Sequence, residues 1–142
     1  MQCKALRDSA REIQSFDVAY FMASVDTLED NTAFAAEHAA GFPILADPEK
    51  TMVDAYGALM GVGFANRWTY YIGADGTILK IDKQTKPATA GKDLTRTMEE
   101  LGFPKIKNHI AVKEADSFGT LPFLLQFSQA ALLRMILICW PV

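Results

Sequence analysis

The chain has 142 residues, 50% of them hydrophobic and 22% charged, which fits one compact globular domain and excludes a disordered or fibrous protein. The formal net charge is −3, and no cluster of five or more Lys and Arg residues occurs, so we expect no nucleic-acid partner. The two cysteines, Cys3 and Cys139, lie near opposite ends of the chain without the Cys/His spacing of a zinc site. We therefore expect no metal site.

The first residues indicate a reducing, cytoplasmic setting. The segment from Met1 to Lys4 lacks the apolar core of a signal peptide, and two cysteines do not form a disulfide framework. Further along, Gly57, Gly61 and Gly63 form no phosphate loop, because no Gly-Lys-Ser/Thr follows them. No cofactor is expected.

Apolar spacing predicts a helix over residues 4–14 and then a strand over residues 18–25. In the helix, Leu6 and Ile13 are among the apolar residues that recur at helical spacing between charged ones. The strand is a nearly continuous apolar run, typical of a strand buried on both faces of a parallel sheet.

The next stretch predicts two helices separated by a short extended segment. Acidic residues in the first turn suit a helix over residues 28–40, and residues 42–45 follow as the extended piece. A second helix is predicted over residues 47–57, with Asp47 as its cap and Pro48 at its first helical position.

A β-hairpin is predicted around Asp75-Gly76, because Asp-Gly between two β-rich runs is a strong turn signal. The two strands span residues 67–72 and 77–81, and a closing helix over residues 92–101 follows. This order of helices and strands indicates the α/β class.

The last part of the chain differs in kind from the rest. We assign residues 1–106 to the domain and residues 107–142 to an atypical apolar extension. Residues 120–142 are apolar but are interrupted by Pro122 and Arg134, and a charged residue within a membrane span is costly. Membrane association through this segment is therefore the weaker alternative.

Four stretches of the chain, in this order and spacing, resemble the peroxiredoxins of the thioredoxin-like superfamily, most closely the bacterioferritin comigratory or Q type. They are residues 3–9 (CKALRDS), 24–26 (SVD), 42–48 (FPILADP) and 67–76 (RWTYYIGADG). The resemblance implies a thioredoxin-like fold, with helices on both faces of a mixed sheet. It also implies a thiol-dependent peroxidase with an antioxidant role, which reduces hydrogen peroxide or alkyl hydroperoxides and is regenerated by a thioredoxin-like reductant.

The family's Pro-x-x-x-Thr-x-x-Cys motif has no counterpart in this sequence. Its peroxidatic cysteine lies about seven residues before the Leu that matches Leu6, which is upstream of Met1. The N-terminal hairpin and the central strand that precede the motif have no counterpart either. We therefore expect a domain that is incomplete at its N-terminus and a sheet without its central strand.

Two residues carry the expected site. Arg67 matches the family's active-site Arg, which binds the peroxide and holds the cysteine as a thiolate; the alternative is a surface Arg at a strand edge. Cys3 lies one residue before the commonest position of the resolving cysteine, which corresponds to Lys4. Cys3 is a resolving thiol, an ordinary partly buried thiol or the nucleophile itself, and the sequence leaves these alternatives open.

A different class of function also remains open. A non-catalytic thioredoxin-like module would bind a partner through the strand edges left free where the central strand is expected to be missing. A homodimer is left open as well.

Overall fold

The computed structural model describes residues 1–61, 63–106 and 135–140, except for the side chains of Met135 and Trp140. Five helices and five strands are formed in these residues. The helices are α1 (Gln2–Asp8), α2 (Ala10–Ile13), α3 (Leu28–Glu37), α4 (Thr51–Ala55) and α5 (Ala90–Glu100). The strands are β1 (Ala19–Ser24), β2 (Ile44–Ala46), β3 (Thr69–Ile72), β4 (Ile78–Asp82) and β5 (Met135–Trp140).

The strands form one mixed sheet in the order β2-β1-β5-β3-β4. β1 pairs in parallel with both β2 and β5, whereas β3 pairs antiparallel with β5 and with β4. The predicted α/β class and mixed sheet are confirmed.

The central position of the sheet is where the structure departs from expectation. We expected that position to be vacant, but β5 occupies it, in register with β1 from Ala19 opposite Met135 to Ser24 opposite Trp140. An apolar run is well suited to this position, because a central strand is buried on both faces. The segment 135–140, which the sequence assigned to an extension, is thus part of the sheet.

Side chains of β5 alternate between two core layers. Ile136 and Ile138 lie in the first layer, together with residues of α1, α2 and α5, and Leu137 and Cys139 lie in the second layer, which Val53 of α4 helps to form. All four β5 side chains are at most 2% exposed. The sheet therefore has helices on both faces, as predicted.

The predicted hairpin is confirmed. Tyr71 of β3 lies opposite Lys80 of β4, and Gly76 in the connecting turn has a φ of 83°, a conformation that favours glycine. Asp75 accepts hydrogen bonds from the Thr77 amide at 3.0 Å and from the Thr77 hydroxyl at 2.9 Å.

The helix expected over residues 47–57 begins later than predicted. Pro48 lies in a turn closed by a hydrogen bond from the Lys50 amide to the Asp47 carbonyl, and α4 starts at Thr51. Asp47 nevertheless caps the helix from a distance, since its carboxylate accepts a hydrogen bond of 2.8 Å from the Val53 amide.

No helix in the described part of the chain is both long and apolar enough to span a bilayer. The membrane hypothesis concerned residues 120–142. Of these, residues 135–140 form β5, and the others lie outside the described residues.

Gly91 is required by close helix packing. A Cβ built on Gly91 would lie 2.5 Å from the Ala5 carbonyl oxygen and would also collide with the Ser9 side chain. These contacts occur where the predicted helix over residues 4–14 divides into α1 and α2, with Ser9 between them. Glycine thus allows α5 to pack directly on the backbone of α1.

The variant Gly91→Ala should lower the free energy of unfolding by about 1–3 kcal/mol, because α5 must move away from α1. Gly41→Ala is the matched control, since a Cβ there meets nothing within 4 Å, and it should change stability by less than about 0.5 kcal/mol. Urea unfolding followed by circular dichroism measures both. Equal stability of the two variants would contradict the close packing.

Candidate active site

The candidate site lies at the end of the sheet where β1 and β5 end and β3 begins. Ser24 is opposite Trp140 across β1 and β5, and the Cys139 amide donates a hydrogen bond of 2.9 Å to the Trp68 carbonyl. Continuing the register in which Thr69 pairs with Ile138 places Arg67 opposite Trp140. The end of the central strand and Arg67 therefore adjoin.

Arg67 is half-buried and immediately precedes the ordered pairing of β3. Two strand spacings separate β1 from β3, so the ends of these strands are about 10 Å apart across β5. Arg67 therefore lies at the same end of the sheet as the carboxyl end of the central strand.

The aromatic residues next to Arg67 belong mainly to the core. Tyr70 and Tyr71 are buried in opposite layers, and Tyr70 donates a hydrogen bond of 2.8 Å to the Tyr56 carbonyl. Trp68 is half-buried and lies under the ammonium of Lys83, 4.3 Å from the ring centroid. The burial of Tyr70 and Tyr71 is typical of core residues and leaves neither ring as a platform for a substrate.

Cys3 lies in the first turn of α1 and is fully buried in the first core layer, beside Leu6. Burial raises the pKa of its thiol, an effect that the positive charges of Arg7 and the amino terminus oppose without overcoming. Arg7 is also engaged elsewhere: it donates to the His38 carbonyl at 3.2 Å and pairs with Asp8 at 3.1 Å. The Cys3 thiol is therefore protonated at neutral pH.

Cys139 lies in the second core layer, on the opposite face of the sheet from Cys3. Burial and the nearby carboxylate of Asp47 raise the pKa of its thiol to about 11. Both cysteines are free, and the sheet separates them, so no disulfide joins them in this arrangement.

Neither buried thiol should react in the folded protein. The disulfide reagent DTNB needs an accessible thiolate, and at pH 7 we expect no fast release of its chromophore from the native chain, then two equivalents after denaturation. The variant Cys139→Ser should leave a single slow thiol. Rapid modification of Cys3 in the native state would show that the first core layer does not enclose its thiol.

Alkaline pH should destabilise the fold. Burial raises the pKa of Cys139 to about 11 and those of Tyr70 and Tyr71 to about 12. Since these groups ionise at lower pH in the unfolded chain, their stabilising contribution is complete below about pH 9 and is lost as the pH rises through 11 and 12. The urea midpoint should fall between pH 8 and pH 11, and less so in Tyr71→Phe; equal midpoints at both pH values would contradict the burial.

Sequence reasoning missed a buried polar group at the end of β1. The Ser24 hydroxyl donates a hydrogen bond of 2.8 Å to the Asn31 side chain and accepts one of 3.3 Å from the Asp26 amide. The available signal was a serine ending an apolar run, followed by an acidic residue. Within the described ranges, no three His, Cys, Asp or Glu side chains are grouped so that they could hold a metal ion.

Comparisons with known proteins give two matches. The model of the AhpC/TSA family matches residues 1–81. The crystal structure of a cysteine-to-serine mutant of Xylella fastidiosa PrxQ is similar with a TM-score of 0.63 and 16% sequence identity, over 70% of this chain and 68% of that chain. At this identity, the structural similarity shows a shared fold. No curated protein matches the chain.

Proposed function

The chain belongs to the AhpC/TSA family, and on that basis we propose that its site serves the thiol-dependent reduction of hydrogen peroxide or alkyl hydroperoxides. The observation that carries the proposal is the place of Arg67, opposite Trp140 at the carboxyl end of the central strand. In the family that the chain resembles, the reactive thiolate and the active-site Arg meet at this end of the central strand.

The proposed chemistry has three balanced steps. A thiolate attacks one peroxide oxygen, so that an S–O bond forms, the O–O bond breaks, and the leaving oxygen takes a proton to become water or an alcohol. A second thiol then attacks the sulfenic acid and releases water as the disulfide forms. A thioredoxin-like dithiol restores both thiols by exchange.

Arg67 would act electrostatically in the first step. Its guanidinium group carries several donors in a fixed plane, so it can favour the thiolate and also stabilise the negative charge that develops on the leaving oxygen. Arg67 is half-buried just before β3, next to the end of the central strand, where the proposal puts the reactive thiolate.

Cys3 would act as the resolving thiol in the second step, and this role requires local opening of α1. The thiol is fully buried and its pKa is raised, so it must leave the core before it can attack. The first turn of α1 has neither a side-chain cap hydrogen bond nor an acidic residue. A turn without these stabilising features opens at a lower free-energy cost than a capped one.

Neither cysteine of this sequence occupies the peroxidatic position of the family motif. The proposal therefore requires a cysteine about two positions ahead of Met1 for turnover. The test compares this chain with a version in which Thr-Pro-Gly-Cys-Thr is placed directly before Met1. NADPH consumption is followed with thioredoxin, thioredoxin reductase and peroxide.

We expect turnover by the version with the added cysteine and none by a matched version with serine in its place. If the cysteine version folds but does not consume peroxide, the proposal fails. Equal consumption by the serine version would assign the nucleophile to Cys3, the alternative that the sequence left open.

The second candidate is a non-catalytic thioredoxin-like binding module, which the burial and raised pKa of both thiols favour. The prediction that a partner binds at free strand edges in the centre of the sheet is wrong, because β5 fills that position. The outer edge of β4 is an alternative surface, since Ile78, Leu79 and Ile81 are exposed there.

The homodimer stays a prediction, and a second copy pairing along the β4 edge would be its simplest form. Sedimentation of the chain over a range of concentrations measures it. A cytoplasmic location and an antioxidant role are also part of the proposal, in keeping with two free thiols.

A further inference from the structure

A cavity of about 220 Å³ lies at the carboxyl end of β1, between this strand, β2 and α3. Met22, Phe34 and Ile44 supply its apolar wall. A dry apolar cavity of roughly 150 Å³ already accommodates benzene, so this cavity has room for about nine non-hydrogen atoms.

The other end of the cavity is polar and largely preformed. Ser24 and Asn31, which are 4% and 5% exposed, are held together by their hydrogen bond and line the cavity. The carboxylate oxygen Oδ2 of Asp26 is buried at the same place and has no hydrogen-bond partner. A buried acceptor without a donor is costly, so this end of the cavity favours a ligand that donates a hydrogen bond.

This end of the cavity carries two carboxylates: Asp26 is half-buried, and Asp30 is exposed in the first turn of α3, where the helix N-terminus favours negative charge. Asp26 and Asp30 both line the cavity, and no Lys, Arg or His does. In the described part of the chain, the ion pairs involve other acidic residues, and Asp30 instead accepts a hydrogen bond of 2.6 Å from the Thr27 hydroxyl. A cationic hydrogen-bond donor would therefore donate to the Asp26 carboxylate and also attract both negative charges.

We propose that this cavity binds a small primary amine as its ammonium ion, with the ammonium at Asp26 and Asp30 and an alkyl or arylalkyl chain against Met22, Phe34 and Ile44. The site uses neither thiol and does not include Arg67. This binding site goes beyond the proposed peroxidase function, and a negative result for one proposal leaves the other unchanged.

The first test is made on the unaltered chain with three ligands of one chain length. Hexylammonium, 1-hexanol and hexanoate are each titrated and followed by the amide signals of residues 22–34 and the side-chain amide of Asn31 in NMR spectra. Hexylammonium should bind saturably and at least about tenfold more tightly than 1-hexanol, and hexanoate should bind most weakly. If 1-hexanol binds as tightly as hexylammonium, or if no ligand saturates these signals, the proposal is overturned.

The second test compares two acidic residues. Asp26→Asn keeps the shape of the side chain but removes its charge, so hexylammonium should bind about tenfold more weakly, while the binding of 1-hexanol should change little. Asp54→Asn is the matched control, because Asp54 is exposed on α4, on the other face of the sheet. Equal affinities of the two variants for hexylammonium would also overturn the proposal, and thermal unfolding checks that both are folded.

Discussion

A chain that ends at residue 134 will not fold, because it lacks the strand that joins the two halves of the sheet. β5 pairs with β1 on one side and with β3 on the other. Ile136, Leu137 and Ile138 are at most 2% exposed, and each such side chain contributes about 1.5–3 kcal/mol on burial. Their sum is comparable with the total stability of a small domain, about 5–15 kcal/mol.

Single substitutions test the same point without removing the strand. Ile138→Ala should lower the free energy of unfolding by about 2–5 kcal/mol, because it leaves a cavity between the sheet and α1. Ile78→Ala is the matched control on edge strand β4, where the side chain is 44% exposed, and it should cost less than about 1 kcal/mol. Circular dichroism and urea unfolding measure all three variants; a native-like chain ending at residue 134 would be incompatible with a central β5.

Replacing Arg67 should have the largest effect on catalysis. In the version that carries Thr-Pro-Gly-Cys-Thr before Met1, Arg67→Ala should lower kcat/KM for hydrogen peroxide by about 10²–10³, the usual effect of removing one preorganised donor from developing charge. Arg67→Lys should recover only part of the rate, because lysine keeps the charge but loses the planar arrangement of donors.

The pH dependence separates an electrostatic role from a structural one. Without the guanidinium, the pKa of the added thiol should rise, so the rate of Arg67→Ala should reach its plateau at higher pH than that of the parent version. Arg96→Ala is the control, since Arg96 is exposed on α5 and pairs with Asp93 at 3.0 Å. An equal fall in kcat/KM in the Arg67 and Arg96 variants would show that Arg67 has no specific role in the reaction.

Local features of the fold were predictable where neighbouring residues determine them. The hairpin follows from Asp75-Gly76 between β-rich runs, because the turn needs a residue that tolerates positive φ. The start of α4 was predicted less well, because Asp47 reaches its helix across a turn at Pro48 rather than from the adjacent position. The close approach of Gly91 to Ser9, where α1 and α2 divide, is a contact between residues that are distant in sequence.

The central strand was beyond sequence reasoning for a physical reason. The apolar run at 135–140 is compatible with a buried strand, a packed extension or a piece of a membrane segment, and periodicity alone does not separate these. Its position depends on pairing with β1 and β3, which are far from it in the chain. The resemblance placed a central strand on the N-terminal side and gave no indication that β5 occupies that position.

The candidate site was predictable in part. Arg67 was identified through the resemblance, but its place opposite Trp140 required the register of β5. The burial of Cys3 and the face of the sheet on which Cys139 lies also depend on packing. The cavity at Asp26 was missed, because its wall comes from β1, β2 and α3 together.

The position of β5 between β1 and β3 completes the sheet and brings Arg67 to the end of its central strand. Nuclear Overhauser contacts between backbone protons test it. We predict contacts from residues 135–138 to residues 69–72 and from residues 135–140 to residues 19–24, together with slow amide exchange throughout β5. Random-coil shifts and fast exchange at residues 135–140, without these contacts, would contradict the central position of β5.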